Sequence, residues 1–135
     1  DHAPHTAEEK ANSYFKAPSG LPVIQHSLQM MLDLVARGEL DLKTVVNRMC
    51  HVPAQRFGVK DRGYVREGGY ADLVLVDPKT PHRVTRESLL YRCAWSPFEG
   101  QEFSHSIAST WVNGELAWDG TKVSAKPHGK RLEFA

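Results

Sequence analysis

The sequence predicts an α/β chain in two parts, helical within its first sixty residues and β-rich beyond them. Three observations carry that reading: an apolar helical period over residues 23–36 that resumes after Asp41, a change near Lys60 to short extended runs punctuated by glycine, and an Asn113-Gly114 turn between β-prone segments. At 135 residues, 41% hydrophobic and 24% charged, the composition is that of a globular domain and excludes a mainly disordered chain. Seventeen Lys and Arg against sixteen Asp and Glu leave a formal charge of +1. So even a balance argues against nucleic acid or an anionic membrane as the main partner. No apolar run approaches the roughly 20 residues of a spanning helix, and the polar start is no signal peptide, so a cytoplasmic protein is expected.

Residues 1–22 read as loop. Over 23–36, Ile24, Leu28, Met31, Leu32 and Val35 recur at helical spacing, and Gly38 supplies the stop. Asp41 is the N-cap of a second helix with Leu42, Val45, Val46, Met49 and Cys50 on one stripe. Pro53 suits the first turn of a separate short helix that Gly58 ends. A domain boundary is expected there, dividing 1–59 from 60–135. Leu73-Val74-Leu75-Val76 is apolar at every position, as in a core strand covered on both faces. Residues 85–91 suit a short helix and 95–100 an ordered loop. Residues 107–112 and 115–118 form a hairpin, because Asn-Gly accepts the positive φ angles of a type I′ turn. Cys50 and Cys93 have no C-x-x-C pairing and read as buried reduced thiols without a role.

Two helical stripes arrive without preceding strands to cover, whereas a complete α/β domain alternates the two. With no initiator methionine, the expectation is the C-terminal part of a longer polypeptide. The uncovered stripes also favour association, including a homo-oligomer.

The chemistry concentrates at the start, in Asp1-His2-Ala3-Pro4-His5. A carboxylate can ligate a divalent metal or move a proton, and an imidazole can ligate, bind an anion or titrate near neutral pH. Such clustering also suits a solvated turn. His2 reads as a structural hydrogen-bonding residue, and His26 as a boundary residue on its helix. His51, His82, His105 and His128 are scattered without metal-ligand spacing and read as surface or structural.

Several strings occur in an order that resembles the cyclic amidohydrolases: Asp-His-Ala-Pro-His at 1–5, Ala-Pro-Ser-Gly at 17–20, Pro-Ala-Gln-Arg-Phe-Gly at 53–58, Ala-Asp-Leu-Val-Leu-Val-Asp at 71–77, Ser-Pro-Phe-Glu-Gly at 96–100 and Val-Asn-Gly at 112–114. The opening string resembles the dihydroorotases in particular. That resemblance implies the C-terminal fragment of a (β/α)8 amidohydrolase barrel, with the end of its last strand, its terminal helices and the C-terminal strands of a small β-sandwich domain. Catalytic residues of such barrels stand at the C-terminal ends of strands. It further implies zinc, binuclear in the full-length protein, and interconversion of dihydroorotate and N-carbamoyl-aspartate in pyrimidine biosynthesis. By position, Asp1 becomes a metal ligand and the catalytic general base, while His5, Ser19 and Gly20 become substrate-binding residues. The barrel portion that would precede Asp1 becomes the necessary partner, and the isolated chain is expected to be inactive. A hydantoinase or allantoinase, or a non-catalytic scaffold of dihydroorotase type, remains the alternative.

Overall fold

The computed structural model describes all 135 residues. In chain order they form α1 (Ala7–Lys10), α2 (Ser27–Ala36), α3 (Leu42–Val46), a π-helical turn (Asn47–His51), α4 (Val52–Arg56), β1 (Leu73–Asp77), β2 (His82–Arg83), a 3₁₀ turn (Arg86–Ser88), β3 (Glu102–Phe103), β4 (Ser106–Val112) and β5 (Glu115–Trp118). The mixed order of helices and strands is the one expected. No helix is long and apolar enough to cross a membrane.

Local chemistry explains most boundaries. Asp41 caps α3 by accepting the Thr44 N–H at 3.0 Å. Pro53 does not start a separate helix, in contrast to the sequence expectation: α3, the π turn and α4 run on continuously from Leu42 to Arg56. Proline lacks an N–H and its ring collides with the carbonyl four residues back in a regular helix. The wider π turn immediately before it is where such a residue is accommodated. Residues 85–91 likewise form no helix beyond the three-residue 3₁₀ turn, whose start is fixed by reciprocal Thr85 and Ser88 hydrogen bonds.

β1, β4 and β5 make an antiparallel sheet in the order β1-β4-β5, and β2 pairs with β3. Asn113 and Gly114 sit at φ +54° and +82°, so the hairpin turn is of the primed type expected. Leu73, Trp111 and Leu116 are register partners across the three strands. Each such apolar pair contributes about 0.2–1 kcal/mol. The sheet nevertheless overturns one expectation: β1 is an edge strand, and Leu73, Val74 and Leu75 remain 37%, 48% and 55% exposed. A run apolar at every position calls for cover on both faces, and the exposure of these three residues shows that this cover is incomplete here.

The same correction applies to the helices. Of the stripe on α3, only Val45 is buried, Leu42 is 53% exposed and Cys50 is exposed rather than packed. On α2, the side facing the strands carries His26, Gln29, Leu32 and Asp33. Gln29 donates to the His105 carbonyl at 3.0 Å, and the Asp33 carboxylate accepts the Ser104 N–H and hydroxyl at 2.9 and 2.5 Å. Polar clamps thus dock α2 on the strand segment, while its apolar stripe is only partly covered.

His26 is the largest departure at a single residue, being fully buried rather than at a boundary. Its ring stacks on Phe103 at 5.9 Å and meets Phe98 at 5.8 Å edge-on, and neither ring nitrogen has a hydrogen-bond partner. Burial among apolar rings, with the nearby His82 imidazole adding to it, lowers the His26 pKa from 6.5 to about 4. The unfolded chain therefore binds a proton between pH 6.5 and 4 that the folded chain refuses, so stability is full above pH 6.5 and declines as pH falls. The decline is on the order of 2–3 kcal/mol by pH 4. His26→Leu should remove most of that step while leaving stability near pH 7.5 little changed, since no hydrogen bond is lost. Thermal melts of both proteins across pH 4.5–8 measure it; parallel pH profiles would assign the acid sensitivity elsewhere.

Candidate active site

Residues 1–5 run as an irregular segment with an exposed Asp1 and half-buried His2, Ala3 and His5. The Asp1 carboxylate accepts the N–H of His2 at 2.8 Å, which fixes its direction without burying it. His2 acts structurally: its Nδ1 accepts the Val23 N–H at 3.2 Å, so the ring proton resides on Nε2, and its ring lies 5.5 Å from that of Tyr91. The Ala3 N–H donates to the Leu21 carbonyl at 3.0 Å. Two backbone segments, 1–5 and 20–23, are thereby pinned side by side.

Helix α1 begins directly after His5 because Thr6 and Glu9 form a capping box, with Glu9 N–H to Thr6 Oγ1 at 3.2 Å and Thr6 N–H to Glu9 Oε2 at 2.7 Å. The hydrogen bond from the Thr6 main chain, foremost, holds the Glu9 carboxyl below its usual pKa, keeping it anionic. The same Oε2 lies 3.6 Å from His5 Nδ1, which turns one edge of that imidazole toward the carboxylate and leaves the other free. At the far end of α1, the Lys10 ammonium donates to the carbonyls of Pro18 and Gly20 at 2.7 and 3.2 Å. The short helix therefore ties the His5 end of the first segment to the 18–20 segment.

Gly20 packs closely against Ala3 of the first segment. Its φ is +105°, and a Cβ placed there would stand 2.3 Å from the Ala3 Cβ. Ser19, next to it, is exposed. The folding thus brings together the segments that carry Asp1, His5, Ser19 and Gly20.

Trp95 and Tyr91, far along the chain, also reach the 1–5 segment. The Trp95 indole N–H donates to the His5 carbonyl at 2.7 Å across ninety residues of chain, and the Tyr91 hydroxyl accepts the Gln25 N–H at 2.8 Å. The available signal was an aromatic residue standing immediately before Ser96-Pro97-Phe98-Glu99-Gly100. No group of three His, Cys, Asp or Glu side chains gathers in metal-binding geometry. Catalytic zinc normally takes three protein ligands, so these residues by themselves do not fit a zinc centre.

Residues 6–117 match the model of the amidohydrolase family, and the chain belongs to that family. Its relatives include the dihydroorotase of Halobacterium salinarum, 42% identical over 93% of this chain and 29% of that protein, and the dihydroorotase of Pyrococcus abyssi, 35% identical over 98% and 31%. The chain thus spans about 30% of the length of these curated relatives. Among solved structures it resembles the L-hydantoinase (dihydropyrimidinase) of Arthrobacter aurescens, with a TM-score of 0.75 and 30% identity over 83% of this chain and 25% of that one. It also resembles the D-hydantoinase (dihydropyrimidinase) of a Thermus species, with a TM-score of 0.85 and 25% identity over 93% and 29%.

Proposed function

We propose that this chain is the C-terminal portion of a dihydroorotase, supplying Asp1 and His5 to a site that interconverts dihydroorotate and N-carbamoyl-aspartate. The observation that carries the reading is the pinned segment 1–5, which bears an exposed carboxylate at Asp1 and a half-buried imidazole at His5 and is held through Ala3 against the backbone at Gly20 and Leu21. Similarity to dihydroorotases over nearly all of the chain supports the same substrate class. Residues 1–59 would then be the last barrel loop and helices, and 60–135 the C-terminal share of the small β-domain. The uncovered faces of β1 and α3 fit that placement.

Hydrolysis of the ring adds water to an amide carbonyl carbon and breaks its bond to nitrogen. Asp1 takes the proton of the attacking water and returns it to the departing nitrogen, a task suited to a solvent-accessible carboxylate. His5, with the Glu9 carboxylate near its Nδ1, offers its other edge to the substrate carboxylate. The main chain at Ser19 and Gly20 lies against the ring. The chemistry a bound zinc would supply is polarisation of the carbonyl and a lowered pKa of water. Asp1 offers one donor to it, and the other ligands would come from the barrel portion outside these residues.

A hydantoinase-type reading is favoured by the 30% identity to the Arthrobacter structure. Turnover of dihydroorotate, hydantoin and allantoin by the full-length protein separates the two. Dihydroorotate is expected to have the highest kcat/KM, and a preference for either five-membered ring overturns the assignment.

A further inference from the structure

We infer that Trp95 is a positioning residue for substrate binding, acting through the main chain of His5. The inference deepens the proposed function and rests on its reading of His5 as the substrate-carboxylate contact. The indole N–H reaches the His5 carbonyl at 2.7 Å, directly at the backbone from which the imidazole departs. The Glu9 carboxylate lies 3.6 Å from Nδ1 of that ring, too long for a hydrogen bond, so the Trp95 contact is the direct side-chain hydrogen bond to this residue.

The segment bearing Trp95 is built to aim it. Ala94 adopts φ +55°, a left-handed conformation that a non-glycine residue keeps only where its surroundings impose it. Here the Ala94 N–H bonds the Tyr91 carbonyl at 3.1 Å. On the other flank, the Ser96 N–H donates to the Glu99 carboxylate at 3.1 Å. Upstream, Gln25 bonds Ser88 and Leu90 at 2.8 and 2.9 Å through its side-chain amide. Tyr91 meanwhile packs its ring on His2. One segment therefore touches the 1–5 loop at both histidines, but only Trp95 bonds the residue assigned to substrate.

The test is a double-mutant cycle in the full-length protein, with Trp95→Phe, His5→Ala and their combination assayed for kcat and KM on dihydroorotate. Trp95→Phe should raise KM by about tenfold, the scale of one lost hydrogen bond, with kcat within about twofold. In the His5→Ala background it should add less than about twofold, because the group it positions is gone. A merely structural role would cost the same in both backgrounds, and that result overturns the inference. An unchanged KM in Trp95→Phe while His5→Ala raises KM overturns it too and leaves the reading of His5 standing. An unchanged KM in His5→Ala removes that reading and this inference together. If Trp95→Phe folds poorly, 3-benzothienylalanine at position 95 keeps the indole shape and removes only the N–H. The same KM shift is then expected, and wild-type KM contradicts it.

Discussion

Asp1→Asn in the full-length protein should lower kcat for dihydroorotate by about 10²–10⁴-fold, the usual contribution of a positioned proton-transfer group. The substitution is close to isosteric, and an amide oxygen can still accept the His2 N–H that Asp1 now accepts at 2.8 Å. The segment should therefore keep its path. An amide cannot take up the proton of the attacking water, so the loss falls on the chemical step and KM should move little. Steady-state kinetics with a parallel thermal melt check it. An unchanged melting temperature with kcat down at least a hundredfold is the expected pair, whereas kcat within tenfold of wild type removes Asp1 from the proton transfer.

The second large effect is expected at Gly20. Gly20→Ala forces an L residue to φ +105° and places its methyl 2.3 Å from the Ala3 Cβ, so the 1–5 and 18–23 segments must separate. Both carry residues assigned to the site, and a displacement on the order of 1 Å is enough to cost about 100-fold in rate. We expect kcat/KM for dihydroorotate to fall by about that factor. Gly68→Ala is the matched control: its φ is +79°, but a Cβ there meets nothing within 4 Å. It carries the left-handed penalty of about 1–2 kcal/mol without the collision. Equal losses in both variants would attribute the effect to stability alone.

How much of this was legible in the sequence depended on whether a residue's behaviour is set by its neighbours along the chain. The Asn113-Gly114 turn and the Asp41 cap were legible because backbone φ and a three-residue reach decide them. Burial was not. The period of Leu73 to Val76 records what the strand would bury, not whether a partner for it lies within the same chain, and β1 is left exposed. Cys50 fails for the same reason on its helix. His26 failed in the opposite direction, since no local pattern distinguishes an imidazole at a helix start from one enclosed by Phe98 and Phe103, more than seventy residues away.

The proposed site residues Asp1, His5, Ser19 and Gly20 come from the order of residue types along the chain, and the fold brings their two segments together. The supports were harder to see. Glu9 lay within a recognisable capping box, but its approach to His5 depends on the direction in which α1 leaves the loop. Trp95 acts from ninety residues away, through a main-chain carbonyl that no side-chain pattern encodes.

The central claim is that the His5 side of this site reads a carboxylate on a six-membered cyclic amide. Dihydroorotate and dihydrouracil differ by that carboxylate alone, so the most direct measurement is the ratio of their kcat/KM values with the full-length protein. A single charge-assisted contact is worth about 1.5–3 kcal/mol, which corresponds to a preference of roughly 10- to 150-fold for dihydroorotate. A ratio near one, or faster turnover of dihydrouracil, would contradict the claim and place the chain with the dihydropyrimidinases it resembles in structure.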